Sequence, residues 1–162
     1  MQQTLVPFAQ TLIMLRLLAV AVGVTSPLYR RYSADVATLD DVRRYALDLR
    51  GTSEGVRHNN ATWSVAGKVF AWDRSFSKAD IRRFGTEEPP SGDIIAISTI
   101  DLADKEAILS AGSRGFFTIE HFDNYPAFLI QLDKVGKRAL KEAVVDAWLT
   151  RAPVDLSDCY LE

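Results

Sequence analysis

The stretch Gly51–Trp72, "GTSEGVRHNNATWSVAGKVFAW", decides the fold. Thr62 to Ala66 and Lys68 to Arg74 read as two β-strands around Ala-Gly-Lys, a hairpin signal with a glycine in the turn. Side chains alternate along a strand. Lys68, Phe70, Trp72 and Arg74 are therefore expected on one face, and Val69, Ala71 and Asp73 on the other. Aromatic residues between terminal cations predict a packed centre whose charged ends reach solvent.

Upstream, Thr38 is placed to cap a helix, with Asp41 three residues on as an aspartate capping box. Leu39, Val42, Tyr45, Ala46 and Leu49 recur on one helical face. Asp40 and Arg44 stand four apart with the acid first, the favourable order. The helix should end before Gly51.

Downstream, Ser77 and Asp80 repeat the capping pattern for a short helix that carries Lys78, Arg82 and Arg83. "TEEPPSGD" is a loop by its prolines and glycine. Asp93 to Ile100 is nearly continuously apolar, as a central strand is. Leu102 to Ala111 reads as a helix with Asp101 as N-cap and Gly112 as its stop. "SRGFFTIEHFDNYP" is a turn-rich aromatic connector. Pro126 to Leu132 is a further strand, and a last helix runs from about Gly136 to Thr150, with Pro153 past its end. The order predicts an α+β domain of two layers, with a mainly antiparallel sheet and helices packed on one face.

The chain has 162 residues, 48% hydrophobic and 25% charged, enough for one domain with a real core. A formal net charge of −2 argues against a strong sequence-independent grip on nucleic acid, while leaving room for a local basic patch. The single cysteine, Cys159, excludes an intrachain disulfide and a cysteine-based metal site and fits a cytoplasmic setting.

Residues 1–35 read differently from the rest. "LIMLRLLAVAVGV", Leu12 to Val24, is too short and too interrupted by Arg16 to span a membrane, so no stable membrane insertion is expected. Three readings stay open for this extension: an over-assigned start with translation beginning near Val36, an amphipathic helix, or a targeting signal. The domain is expected over residues 36–153, with residues 154–162 a short, loose C-terminal tail.

No phosphate loop, dinucleotide fingerprint or nucleophile elbow is present. His58 has Glu54 four residues before it, and His121 has Glu120 and Asp123 beside it. Brought together, the two imidazoles and a carboxylate would suit a divalent metal or acid–base chemistry. Neither lies in a ligand-spaced motif, so no metal, cofactor or catalytic residue is assigned and the protein reads as non-enzymatic. From residue 57 to residue 83 six cations stand against two acids, a local charge of +4.

"LDDVRRYALDLRGTSEGV" leading to His58, then "WSVAGKVFAW", "FFTIEHFDNYPAFLIQLDKV" and "EAVVDAWLTRAP" together resemble the MmcQ/YjbR family of small bacterial proteins. The resemblance covers roughly Thr38 to Pro153. Arg50 departs from it, standing where family members often have proline. It implies a two-layer fold like that of YjbR and secretion chaperones, and the family's label of DNA-binding protein. Two functional expectations follow. In the first, the hairpin and the short helix contact DNA phosphates through Arg57, Lys68, Arg74, Lys78, Arg82 and Arg83. In the second, His58, Trp63, His121, Phe122 and Tyr125 line a pocket for a small molecule or a protein segment.

Overall fold

The structure is a computed structural model and describes residues 36–161. The expectations for residues 1–35 lie outside the described residues. Six strands form one sheet: β1 (Thr52–Arg57), β2 (Asn60–Val65), β3 (Lys68–Asp73), β4 (Ile94–Ser98), β5 (Phe116–Phe117) and β6 (Ala127–Gln131). Their spatial order is β1-β2-β3-β4-β6-β5, and every pairing is antiparallel. The helices are α1 (Leu39–Leu47), α2 (Lys78–Arg83), α3 (Leu102–Ser110), α4 (Lys137–Arg151) and α5 (Val154–Leu161). This is an α+β domain with helices packed against an open antiparallel sheet.

Two-residue turns build the meander β1-β2-β3. His58 and Asn59, at φ 51° and 66°, join the first pair; Ala66 and Gly67, at 48° and 74°, join the second. Two central residues at positive φ match the right-handed twist of the flanking strands. Ala-Gly is the expected turn. The first hairpin, with β1, was not legible, because His-Asn is a weaker turn signal than a glycine pair and Thr52–Arg57 carries one large apolar residue, Val56.

Alternation breaks inside β3. Trp63 faces Ala71 and Ser64 faces Val69, so Phe70 is an extra residue, a β-bulge. Phe70 and Ala71 both join the main core, and Trp72 turns to the opposite face. The expectation that Phe70 and Trp72 share a face is corrected by this one inserted residue.

The main core lies between the sheet and α1 and α4, around Trp63, Phe70, Ile95, Ile97, Phe128, Ile130, Leu140 and Trp148. Ile108 and Leu109 of α3 and Leu156 of α5 pack against it. Thr38 and Asp41 form the capping box, with Thr38 N donating to Asp41 Oδ2 at 3.0 Å. Arg44 pairs with Asp41 at 2.6 Å and Arg43 with Asp40 at 3.1 Å, rather than Arg44 with Asp40. Arg43 also grips Glu54 with Nε and Nη2, at 2.9 Å to each carboxylate oxygen, tying β1 to α1. That bond holds the Glu54 carboxyl below its usual range.

Val154–Leu161 is helical rather than loose. Pro153 ends α4, and α5 folds back: Tyr160 packs on Trp148 with ring centroids 5.5 Å apart, and Arg50 Nη1 donates to Cys159 Sγ at 2.8 Å. The apolar positions of "VDLSDC" are too few to signal this from sequence.

Gly115 opens β5 at φ +86°, and a Cβ there would stand 3.0 Å from Gln131 O and 3.1 Å from Val135 N. Both neighbours are backbone and cannot swing away. Gly115→Ala is expected to lose about 2 kcal/mol, read from urea melts. A loss under about 0.5 kcal/mol would mean that the loop reshapes freely.

Candidate functional site: the aromatic face and its pocket

The second face of the sheet is covered by the connector after β5 and by aromatic residues that flank α2. Ile94, Ala96, Phe122, Ala127 and Leu129 form a smaller core there, with Trp72, Phe76, Phe117 and Ile119 against it. Trp72 reaches this face because of the bulge. It stacks on Phe122 at 6.3 Å and 19°, and Tyr125 meets it edge-on at 6.2 Å. Phe76 bridges Phe84, the C-cap of α2, and Phe117, at 5.4 and 6.4 Å.

A buried lysine holds the connector. Lys105, on α3, donates from Nζ to the carbonyl oxygens of Phe122 and Tyr125. Burial pushes its pKa down. The connector makes a single 3-10 turn, Glu120–Phe122, which is how His121 comes to face outward while Phe122 is buried.

Between α2 and this turn lies a pocket of about 120 Å³ lined by Asp80, Arg83, Phe84, Thr118, Ile119, Glu120 and His121. Asp80 is its most constrained member. Its side chain is 1% exposed, and Oδ2 accepts from Ser77 N at 2.8 Å, Ser77 Oγ at 2.7 Å and Arg74 Nη2 at 2.8 Å. Burial alone would raise its pKa, but the bonds from Ser77 and Arg74 outweigh it and hold the carboxyl at about 2. The other oxygen, Oδ1, is buried and has no hydrogen-bond partner among the described residues. Arg83 Nη1 stands 3.7 Å from it. A buried charged acceptor left unmet costs on the order of 1–3 kcal/mol. Arg83 also stands 3.5 Å from Glu120 Oε2, so its guanidinium lies between two carboxylates and is closely bonded to neither.

The expected site residues divide. Arg74 is engaged: it is 14% exposed, bonded to Asp80 and set over the Phe122 ring at 5.7 Å. Arg83 faces the pocket. Arg57, Lys78 and Arg82 are exposed and carry no ion pair among the described residues. Lys68 is exposed at the opposite end of the meander, because β2 runs about 17 Å between the positions facing Arg57 and Lys68. The six cations therefore do not form one rim.

Of the expected pocket residues, His121 lines the pocket, Phe122 lies buried beside it and Tyr125 flanks the aromatic cluster, half exposed. His58 sits on a hairpin tip. Trp63 is fully buried in the main core and does not line this pocket, since β2 turns positions 61, 63 and 65 toward the helices. Among the described residues no three His, Cys, Asp or Glu side chains gather to hold a metal. Sequence reasoning missed Asp80, Phe84, Thr118, Ile119 and Glu120 as a set. Asp80 was visible as a helix cap, but nothing local tells a solvated cap from a buried one.

The chain is 39% identical over 129 residues to the uncharacterized protein Rv2570 of Mycobacterium tuberculosis, a match covering 78% of this chain and 97% of that one. The chain belongs to its family. The uncharacterized protein Mb2600 of Mycobacterium bovis matches the chain with the same identity and coverage. No family model matches the chain, and no solved structure matches it. No helix among the described residues is long and apolar enough to cross a membrane.

Proposed function

We propose that this protein is a cytoplasmic, non-enzymatic binding module of the MmcQ/YjbR kind, and that its ligand enters the pocket between α2 and the 3-10 turn. The observation that supports this most directly is Asp80 Oδ1, an ionised acceptor without a hydrogen bond, on a residue that lines a pocket. Around it stand an aromatic ring, an arginine, a second carboxylate and an imidazole, convergent polar groups on an apolar wall. A fragment screen by amide NMR on the full chain tests the reading. Ligands should shift Phe84 and Thr118–His121 before other residues, and a screen whose hits avoid this segment would reject it.

A DNA-binding reading has one observation in its favour. Arg57, Lys78 and Arg82 are exposed and free of acidic partners among the described residues. Three phosphate contacts give a slope of log affinity against log salt of about −2.7. Arg82→Ala should lower its magnitude by about 0.9, while Arg83→Ala, removing a cation already held by acids, leaves it nearly unchanged. Salt-titrated binding to fluorescent duplex DNA measures both. No binding at low salt would remove this reading.

A further inference from the structure

We infer that the pocket is a receptor for an organic cation, a guanidinium or primary ammonium head group, and that Arg83 occupies the site in its absence. This rests on the pocket being the binding site. Two carboxylates face the pocket from different elements: Asp80 from α2 and Glu120 from the 3-10 turn. Ser77 and Arg74 together satisfy Asp80 Oδ2, which leaves Oδ1 without a hydrogen bond and with only the loose ion pair to Arg83, although the Asp80 side chain is 1% exposed.

Arg83 shows what chemistry fits. Its guanidinium sits 3.7 Å from Asp80 Oδ1 and 3.5 Å from Glu120 Oε2, too far for close charge-assisted bonds, and its side chain is 45% exposed. A tether from the backbone of α2 limits how well it can seat. A free guanidinium has no such tether and can approach both oxygens. With Arg83 in place, Asp80, Glu120, Arg74 and Arg83 cancel in charge. With Arg83 swung to solvent, the site is one negative charge in excess and has the Phe84 ring in its wall. An anion entering the same place would meet two carboxylates. The ligand thus exchanges with an internal side chain of its own kind, and its affinity is set by that competition.

Agmatine, urea and inorganic phosphate, titrated separately into the full-length protein, test this by amide NMR and calorimetry. Agmatine should shift Phe84 and Thr118–His121 saturably. Arg83→Ala removes the internal competitor and should tighten agmatine about tenfold, and Glu120→Gln should weaken it by a similar factor. The two side chains are 45% and 70% exposed, and a thermal melt of each variant checks that it folds. No localised shift with agmatine up to about 10 mM in either the parent or Arg83→Ala overturns the cation assignment. If urea or phosphate then shifts the same residues, the pocket still binds ligands and only the charge class falls. If none of the three does, and the fragment screen also avoids the segment, both readings fall together.

Discussion

Trp63→Ala is expected to lose about 3–5 kcal/mol of stability, measured as a drop in urea midpoint at constant m-value. Trp63 is fully buried in the main core, on β2, where it faces Glu54 on one neighbour and Ala71 on the other. The pairing to Ala71 is the last before the Phe70 bulge. Removing the indole leaves a cavity bounded by two strands whose register is already pinned, so collapse into the space is limited. Trp63→Phe separates volume from polarity. The indole Nε1 has no close hydrogen-bond partner among the described residues, only a weak pull on the Glu54 carboxylate opposite it, so phenylalanine forfeits little polar interaction. Its cost should be near 1 kcal/mol. Equal losses for Ala and Phe would mean that the N–H is satisfied after all.

Asp80→Asn should cost about 3 kcal/mol near neutral pH and, more tellingly, flatten the acid limb of stability. The carboxylate caps α2 and neutralises the nearly buried Arg74, and an amide leaves that guanidinium without its anion. The native pKa of about 2 lies below the ordinary 3.8, so the folded state favours the ionised form. A depressed acid contributes its stability above the unfolded pKa and loses it as pH falls through the folded one. The parent should therefore shed about 2 kcal/mol through this group between about pH 5 and pH 2, and the variant should not. Asp41 and Glu54 are also held low, while burial raises Asp73 and Asp104, so the slope that remains in the variant is the balance of these groups. Urea midpoints at several pH values decide it; parallel curves for parent and variant would exclude Asp80 as the source.

Local signals explain which parts of this molecule were legible in its sequence. Thr38 with Asp41, Ser77 with Asp80, and Asp101 announce three helix starts, because a cap is a contact between residues three apart. Ala66-Gly67 announces its turn for the same reason. The bulge at Phe70 is not local. It exists because Trp63 and Ala71 must pair while Ser64 and Val69 also pair, a condition set by a neighbouring strand. Counting every second residue along β3 therefore places Trp72 on the wrong face. With Trp72 misplaced, the aromatic connector has no visible partner, and Asp80 and Glu120, forty residues apart in the chain, have no reason to meet. His121 was selected for its chemistry and does line the pocket; Trp63 was selected for its ring and is a core residue.

Lys105 has a consequence for how the pocket breathes. Its helix packs Ile108 and Leu109 into the main core, while its ammonium grips two carbonyls of the segment that walls the pocket. The pocket wall cannot lift without either stranding a buried charge or dragging α3 with it. Helix and wall should open as one cooperative unit, with amides on both exchanging with deuterium at a common rate. Access to the pocket is then governed from the far side of the sheet, by the anchoring of a helix that never touches the ligand.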